Sequence, residues 1–274
     1  MSRDAAWLCA TCGVEHAEPE GLCAICADER QWVPADGQHW TTLADLDVAG
    51  TETRVHHPEP GLLEITVEPK VGIGHHSFLV TTPQGSLMWD PPGFLDEAGV
   101  ERIDSHGEVL AIATSHPHMF GAQVAWSRAL GGVPILVNEL QRDWVARDDA
   151  AIRTWRGRHE LVPGLTLVEF GGHFAGSSVV HWSAGAGGGG VLLCSDTLHA
   201  NPDRTTTTFL RSYPNRIPLS PAVVERIASG VQELGVDRLY DNFGHTIAGD
   251  ASGAVRRSAD RYIGWVNGEF DHLT

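Results

Sequence analysis

Alternating apolar and polar positions predict a strand-rich block in the first half of the chain. Residues 63–68 alternate with a period of two, and residues 77–82 and 86–89 follow as two further strands on either side of a Pro83-Gln84-Gly85 turn. Strands joined by short connections pair in antiparallel fashion. We therefore expect an antiparallel meander, which Asp90-Pro91-Pro92-Gly93 brings to an end.

Beyond this block, apolar residues at helical spacing alternate with short apolar runs. The clearest helical stripe is formed by Val223, Ile227, Val231 and Leu234, after the start signal Ser220-Pro221. Further helices are predicted over residues 95–103, 124–129, 139–145 and 255–266, and further strands over residues 109–113, 134–137, 165–170, 178–182, 191–194 and 238–240. The pattern predicts an α/β protein.

Composition and charge narrow the classes of function. The 274 residues include 19 Lys and Arg against 35 Asp and Glu, a formal net charge of −16, so a nucleic-acid-binding surface is not expected. No apolar run has the length that a membrane span needs, and Met1-Ser2-Arg3-Asp4 does not begin a signal peptide. We expect a cytoplasmic protein that acts on a small molecule, and the oligomeric state stays open.

Two Cys-X-X-Cys pairs near the start of the chain predict a structural Zn²⁺ site. Cys9 and Cys12 form the first pair, and Cys23 and Cys26 form the second. Each pair supplies half of a tetrahedral thiolate site. A redox Cys-X-X-Cys normally occurs once and beside a βαβ pattern, whereas two copies occur here within a short polar segment. We predict a zinc-ribbon-like module over residues 1–50, which we call the four-cysteine module.

So small a module cannot fold on apolar burial alone, and its metal would supply folding free energy. Trp32, Val33 and Trp40 are predicted to dock it. A second domain is predicted over residues 51–274, and His56-His57-Pro58 is predicted to be a loop that binds no metal.

His116-Pro117-His118 follows the apolar strand at 109–113 and is a candidate metal-binding motif. In an extended chain residues i and i+2 share a face, so both imidazoles would point the same way. Proline also biases the preceding residue toward extended conformations. The alternative interpretation is a pair of exposed loop histidines.

Three later strand ends carry polar residues that a buried core does not require. They are Gly171-Gly172-His173, Cys194-Ser195-Asp196-Thr197 and Phe243-Gly244-His245. Taken singly, each is better explained as an ordinary loop residue or turn cap. Taken with His116 and His118, they indicate side chains that converge on one site.

The order His116, His118, His173, Asp196, His245 resembles the metallo-β-lactamase fold superfamily, which includes glyoxalase II-like thioesterases and persulfide dioxygenases. The resemblance covers roughly residues 51–274. It implies a four-layer αββα sandwich with a metal site at one edge, and it makes a metal-dependent hydrolase the expected activity.

One departure from the family pattern alters the expected metal content. Where the superfamily has Asp-His after His-X-His-X, this chain has Phe120-Gly121. The resemblance implies a first metal held by His116, His118 and His173, with Asp196 between the first and second metals. We predict that Asp196 joins the three histidines around a single ion. A second ion could draw only on Asp196 and His245, which are too few for a tight site. We expect one catalytic Zn²⁺, with Fe²⁺ as the alternative, and a second site only after Phe120→Asp with Gly121→His.

Three histidines and an open position suit zinc, which lowers the pKa of a bound water. The expected reaction is hydrolysis of a small ester, thioester, lactone or amide by metal-bound hydroxide. Asp196 and His245 are the candidate catalytic residues, since the Asp that would act as base in the family is absent. Candidates for the substrate pocket are His75, His199, Arg211 and Tyr213.

Two other functions remain open at this point. Two of the histidines with Asp196 would make a two-His, one-carboxylate iron site for an oxygenase of the persulfide dioxygenase type. Alternatively, the protein is a scaffold that binds a ligand without turnover.

Overall fold

The computed structural model describes residues 6–19 and 21–274, so Met1-Ser2-Arg3-Asp4 lies outside the described residues. The chain forms two compact units that divide between Trp155 and Arg156. The domain boundary predicted near Gly50 stays a prediction. In the described part of the chain, no helix combines the length and the apolar character that crossing a bilayer requires.

The first unit contains the four-cysteine module and the predicted meander. Its strands are β1 (Trp7–Cys9), β2 (Glu15–His16), β3 (Trp40–Thr42), β4 (Glu52–Glu59), β5 (Leu62–Glu68), β6 (Ser77–Thr82), β7 (Gly85–Trp89), β8 (Val109–Ala113), β9 (Ile135–Asn138) and β10 (Ile152–Trp155). Its helices are α1 (Ala24–Ala27), α2 (Leu43–Val48), α3 (Glu97–Asp104) and α4 (Gln123–Ala129), with 3₁₀ helices at Pro117–Met119 and Glu139–Trp144.

Two sheets organise this unit. The small sheet has the order β2-β1-β3, and the large sheet has the order β10-β9-β8-β7-β6-β5-β4. Strands β4 to β7 pair antiparallel, which confirms the predicted meander, whereas β7, β8, β9 and β10 pair in parallel. The parallel strand β8 ends at Ala113, shortly before His116, and so places the histidine motif at the carboxyl-terminal end of the parallel strands.

The structure corrects three local predictions in this unit. Pro117 begins a 3₁₀ turn, closed by a hydrogen bond from Met119 N to His116 O at 2.9 Å, so the histidine motif is not extended throughout. Proline's fixed φ suits a first helical position. His56-His57-Pro58 is part of β4, because a register shift before Glu59 accommodates the proline. Val33 and Trp40 pack against the core as predicted, whereas Trp32 stays 45% exposed.

The second unit has its own sheet and core. Its strands are β11 (Arg158–Val162), β12 (Leu165–Glu169), β13 (Ser178–Trp182), β14 (Val191–Leu193), β15 (His199–Ala200), β16 (Thr207–Thr208), β17 (Leu210–Ser212), β18 (Ile217–Pro218), β19 (Arg238–Tyr240) and β20 (Thr246–Ile247). Its helices are α5 (Gly185–Gly188), α6 (Pro221–Leu234) and α7 (Ala251–Val266), with 3₁₀ helices at Ser195–Thr197 and Asp271–Leu273. The main sheet has the order β11-β12-β13-β14-β19-β20.

Helix α6 forms where the sequence predicts it. Ser220 caps its first turn by accepting a hydrogen bond from Val223 N, Pro221 occupies its first position, and Gly235 ends it in the left-handed conformation. Its buried face includes Ile227 and Val231 and packs with α7 in the core of this unit. The loops after β12, β14 and β19, which carry His173, Asp196 and His245, follow strands that pack against this core.

Candidate metal centres

The four cysteine sulfur atoms lie together inside the first unit. Cys9 Sγ is 3.6 Å from Cys26 Sγ, and Cys12 Sγ is 3.8 Å from Cys23 Sγ. These separations are far too long for a disulfide. They match the edge of a tetrahedron with metal–sulfur bonds of about 2.3 Å, which is about 3.8 Å. The four side chains are almost wholly buried, as a closed structural site requires.

Neighbouring polar groups fix the cysteine cluster. Gln38 donates from Nε2 to Cys9 Sγ at 3.1 Å and accepts from Cys23 N at 3.1 Å, while His16 Nε2 lies 3.5 Å from Cys23 Sγ. Hydrogen bonding to Cys23 and burial hold the pKa of the Cys12 thiol well above its usual range. Four thiolates this close need a cation to coexist, so the donor set fits Zn²⁺.

His116 is held by a hydrogen-bonded pair, Ser115 and Asp90. Asp90 accepts from Ser115 N at 2.6 Å and from Ser115 Oγ at 2.9 Å, and Ser115 Oγ lies 2.9 Å from His116 Nδ1. Since the serine hydroxyl donates to Asp90, its oxygen accepts the Nδ1 proton, and the lone pair is left on Nε2 for a metal. The His118 ring lies 5.0 Å from that of His116, and both are buried.

His173 and Asp196 meet inside the second unit. His173 lies in the loop between β12 and β13, and Asp196 follows β14 in a 3₁₀ turn. His173 Nε2 is 3.6 Å from Asp196 Oδ2, which is too long for a hydrogen bond. Two ligand atoms that share an ion at about 2.1 Å lie about 3.4 Å apart in a tetrahedral site. The pair therefore has the spacing of two metal ligands.

The other oxygen of Asp196 is fixed by His199. His199 Nε2 lies 2.9 Å from Asp196 Oδ1, and its ring stacks on Tyr213 with centroids 3.6 Å apart and planes 14° apart. Burial, followed by the negative charge of Asp196, raises the pKa of Tyr213 well above its usual range, so its hydroxyl stays neutral. His199 and Tyr213 thus lie beside the candidate ligand Asp196, although as a pocket their role stays a prediction.

The remaining predicted site residues have different surroundings. His245 donates its backbone N–H to Asp241 Oδ1 at 3.0 Å, and its Nδ1 lies 3.4 Å from Asp241 Oδ2. His75 is buried, with Nε2 3.2 Å from the backbone oxygens of Asp90 and Pro91. Arg211 is half-buried on β17. Their roles in binding or catalysis stay predictions.

Sequence reasoning missed several supporting residues. Asp90 ends β7 just as the candidate ligands end their strands, and its left-handed φ of 52° marks a constrained position. Its position directly after an apolar strand could have indicated a site residue, but the sequence pattern predicted only that Asp90 ends the meander. Gln38 gave no such signal, because it reaches the cysteines through a contact 29 residues along the chain.

Across the described residues, two groups of side chains can each hold a metal ion. The first group is Cys9, Cys12, Cys23 and Cys26, and the second is His116, His118, His173 and Asp196. These are the two ligand sets expected from the sequence. His245 belongs to neither group.

Phe120 and Gly121, which stand in place of the family's Asp-His, are structural residues here. Phe120 is fully buried in the apolar cluster that contains the four cysteines. Gly121 has a left-handed φ of 50°, and a Cβ at this position would lie 1.9 Å from Pro91 O. That Phe120→Asp with Gly121→His would create a second metal site stays a prediction, and a side chain at residue 121 requires the backbone near Pro91 to shift.

Comparison with solved structures identifies the fold. The chain matches the metallo-β-lactamase DIM-1 with a TM-score of 0.58 at 13% identity, covering 76% of this chain and 96% of that one. A metallo-β-lactamase from Pontibacter korlensis matches with a TM-score of 0.54 at 14% identity, covering 76% and 98% of the two chains. The chain has the metallo-β-lactamase fold preceded by a cluster of four cysteines, which confirms the predicted fold class.

A curated relative identifies the family. The chain is 40% identical over 271 residues to the uncharacterized protein YmaE of Bacillus subtilis strain 168, covering 97% of this chain and 98% of YmaE. It belongs to the same family as YmaE. No family model matches the chain.

Proposed function

We propose that this protein is a metal-dependent hydrolase with one catalytic metal ion, held by His116, His118, His173 and Asp196. The observation that carries the proposal is the donor set itself, three buried imidazoles and a buried carboxylate. Zinc prefers these ligands. The metallo-β-lactamase fold supports the proposal, and one protein of this fold, FIM-1 from Pseudomonas aeruginosa, has been solved in a mono-zinc form at 12% identity and a TM-score of 0.55.

Within this proposal, Zn²⁺ would polarise the substrate carbonyl and acidify the attacking water. The Asp90-Ser115 pair would keep His116 in the tautomer that presents Nε2. His199 would hold one oxygen of Asp196, so that the other is directed toward His173. Asp196 or His245 would receive the proton from water, because Phe120 replaces the Asp of the metallo-β-lactamase superfamily pattern.

The proposed substrates are small esters, thioesters, lactones or amides. The test uses zinc-loaded protein on a panel of these four classes, with His173→Ala as the matched variant. We expect turnover of at least one class, with loss of turnover and of one metal equivalent in His173→Ala while the cysteine-bound ion remains. An unchanged metal content in His173→Ala would contradict the ligand assignment.

Two experimental outcomes would favour a function other than hydrolysis. Full metal loading without turnover of any class would favour a ligand-binding scaffold. Oxygen uptake with a thiol substrate by anaerobically prepared, iron-containing protein would favour an oxygenase of the persulfide dioxygenase type.

A further inference from the structure

Glu15 connects the cysteine cluster to the segment that carries His116 and His118. It lies three residues after Cys12 on β2, whose partner β1 carries Cys9. Glu15 is only 2% exposed. A buried carboxylate is costly unless it is hydrogen-bonded or paired, so its contacts show what it holds in place.

Glu15 contacts the chain that follows the histidine motif at three points. Its backbone N–H donates to Gly121 O at 3.0 Å, and its Oε1 accepts from Val124 N in the first turn of α4. Its Oε2 pairs with Arg147 Nη1 at 2.8 Å, a contact in which both side chains are buried. Helix α4 has no side-chain cap of its own at Ala122, so Glu15 satisfies an N–H that the helix leaves unpaired.

The backbone of the four-cysteine module also packs closely against the rest of the first unit. A Cβ on Gly72 would lie 2.3 Å from Gly13 N, so the turn that follows Cys12 fits against residue 72 only because that residue is glycine. Phe120 packs in the apolar cluster that contains the cysteines. The folded turn at Cys12-Gly13 therefore fixes where the Glu15 carboxylate lies.

We propose that Glu15 is a positioning residue for the histidine site and that it couples this site to the four-cysteine module. Metal binding by the cysteines fixes β2, β2 places Glu15, and Glu15 holds Gly121 and Val124, which follow His118 by three and six residues. By linkage, each metal then strengthens binding of the other. The inference rests on the proposed function in taking His116 and His118 as metal ligands. Both residues at the positions of the absent Asp-His contact the module, Phe120 through the apolar cluster and Gly121 through its carbonyl oxygen.

The test compares Glu15→Ala and Glu15→Gln with Glu18→Ala, a change at an exposed glutamate three residues further on. Two quantities are measured: amide hydrogen exchange over residues 115–125, and Co²⁺ affinity of the histidine site by chelator competition. Cobalt bound only by nitrogen and oxygen lacks the strong charge-transfer absorption of cobalt–thiolate, which separates the two sites. In Glu15→Ala we expect faster exchange in this segment and an affinity loss of about tenfold or more, with the cysteine-bound ion retained.

Glu15→Gln keeps an acceptor for Val124 N and should recover part of the affinity, whereas Glu18→Ala should match the wild type. Exchange and affinity that stay at wild-type values in Glu15→Ala would overturn the inference. So would a loss of global stability without any loss of affinity in the folded protein. If the wild type binds no metal at the histidines, the proposed function fails, and the exchange measurement alone decides whether Glu15 holds the segment.

Discussion

The two candidate metal centres differ in how much of the chain each one needs. The cysteine ligands lie between residues 9 and 26, within one unit. The histidine-site ligands lie between residues 116 and 196, in loops that follow β8, β12 and β14. A site built from one segment can order that segment by itself, whereas a distributed site depends on a fold that is already formed. If both centres bind metal as proposed, the first stabilises the fold and the second depends on a fold that is already stable.

The largest expected effect is the loss of the cysteine-bound ion. Cys12→Ser should remove one metal equivalent and unfold the module, because apparent binding energies of structural zinc are about 10–16 kcal/mol in zinc-finger peptides. Metal analysis and thermal unfolding check this. The matched control is Cys194→Ser, since Cys194 is also buried but donates to Leu198 O at 3.0 Å outside the cluster. Equal metal loss in both variants would contradict the assignment.

The next effect concerns the backbone at Gly121, whose carbonyl oxygen accepts a hydrogen bond from Glu15 N. Gly121→Ala should lower the free energy of unfolding by about 2–4 kcal/mol, from left-handed strain and overlap with Pro91 O. Gly132→Ala is the control, because Gly132 has a φ of +82° with nothing within 4 Å of a Cβ. It should cost only about 1 kcal/mol, for strain alone. Denaturant unfolding measures both, and equal costs would show that Gly121 is not tightly packed.

A smaller effect concerns pH. Burial raises the pKa of Glu15 to about 7, against the opposing effect of Arg147. A carboxyl with a raised pKa stabilises the fold while protonated, and this contribution is lost as pH rises from about 4.5 through about 7. The difference in unfolding free energy between wild type and Glu15→Gln should therefore fall by up to about 3 kcal/mol between pH 5 and pH 8. Unfolding at fixed zinc concentration measures it, and a difference that grows with pH would show that the anion is the favoured form.

The smallest effect tests the support of His116. Ser115→Ala removes the acceptor for Nδ1, so metal affinity at the histidine site should fall by about 10- to 100-fold while the cysteine site keeps its ion. Competition titration measures the affinity. Ser105→Ala serves as the control, because that serine is exposed and donates only to Arg102 O at 2.6 Å. An unchanged metal affinity in Ser115→Ala would show that Asp90 and Ser115 do not position His116 for metal binding.

The two centres also differ in how far the sequence could predict them. Cys-X-X-Cys spacing suffices for the first, because its ligands lie close together along the chain. The second needed the recurrence of polar residues such as His173 and Asp196 after strands, together with a family resemblance. The Glu15 contact could not be predicted, because Val124 lies 109 residues away. The interpretation of Gly121 as a lost ligand missed its packing role, since only the folded backbone shows how near Pro91 O lies.

We propose one metal ion at each of the two centres, and anomalous scattering from a crystal of the purified protein would locate both ions. We predict one peak among the sulfur atoms of Cys9, Cys12, Cys23 and Cys26, and one among His116, His118, His173 and Asp196. Absorption-edge data identify the second ion as zinc or iron. A second peak beside Asp196 and His245, or none at the histidines, would contradict this claim.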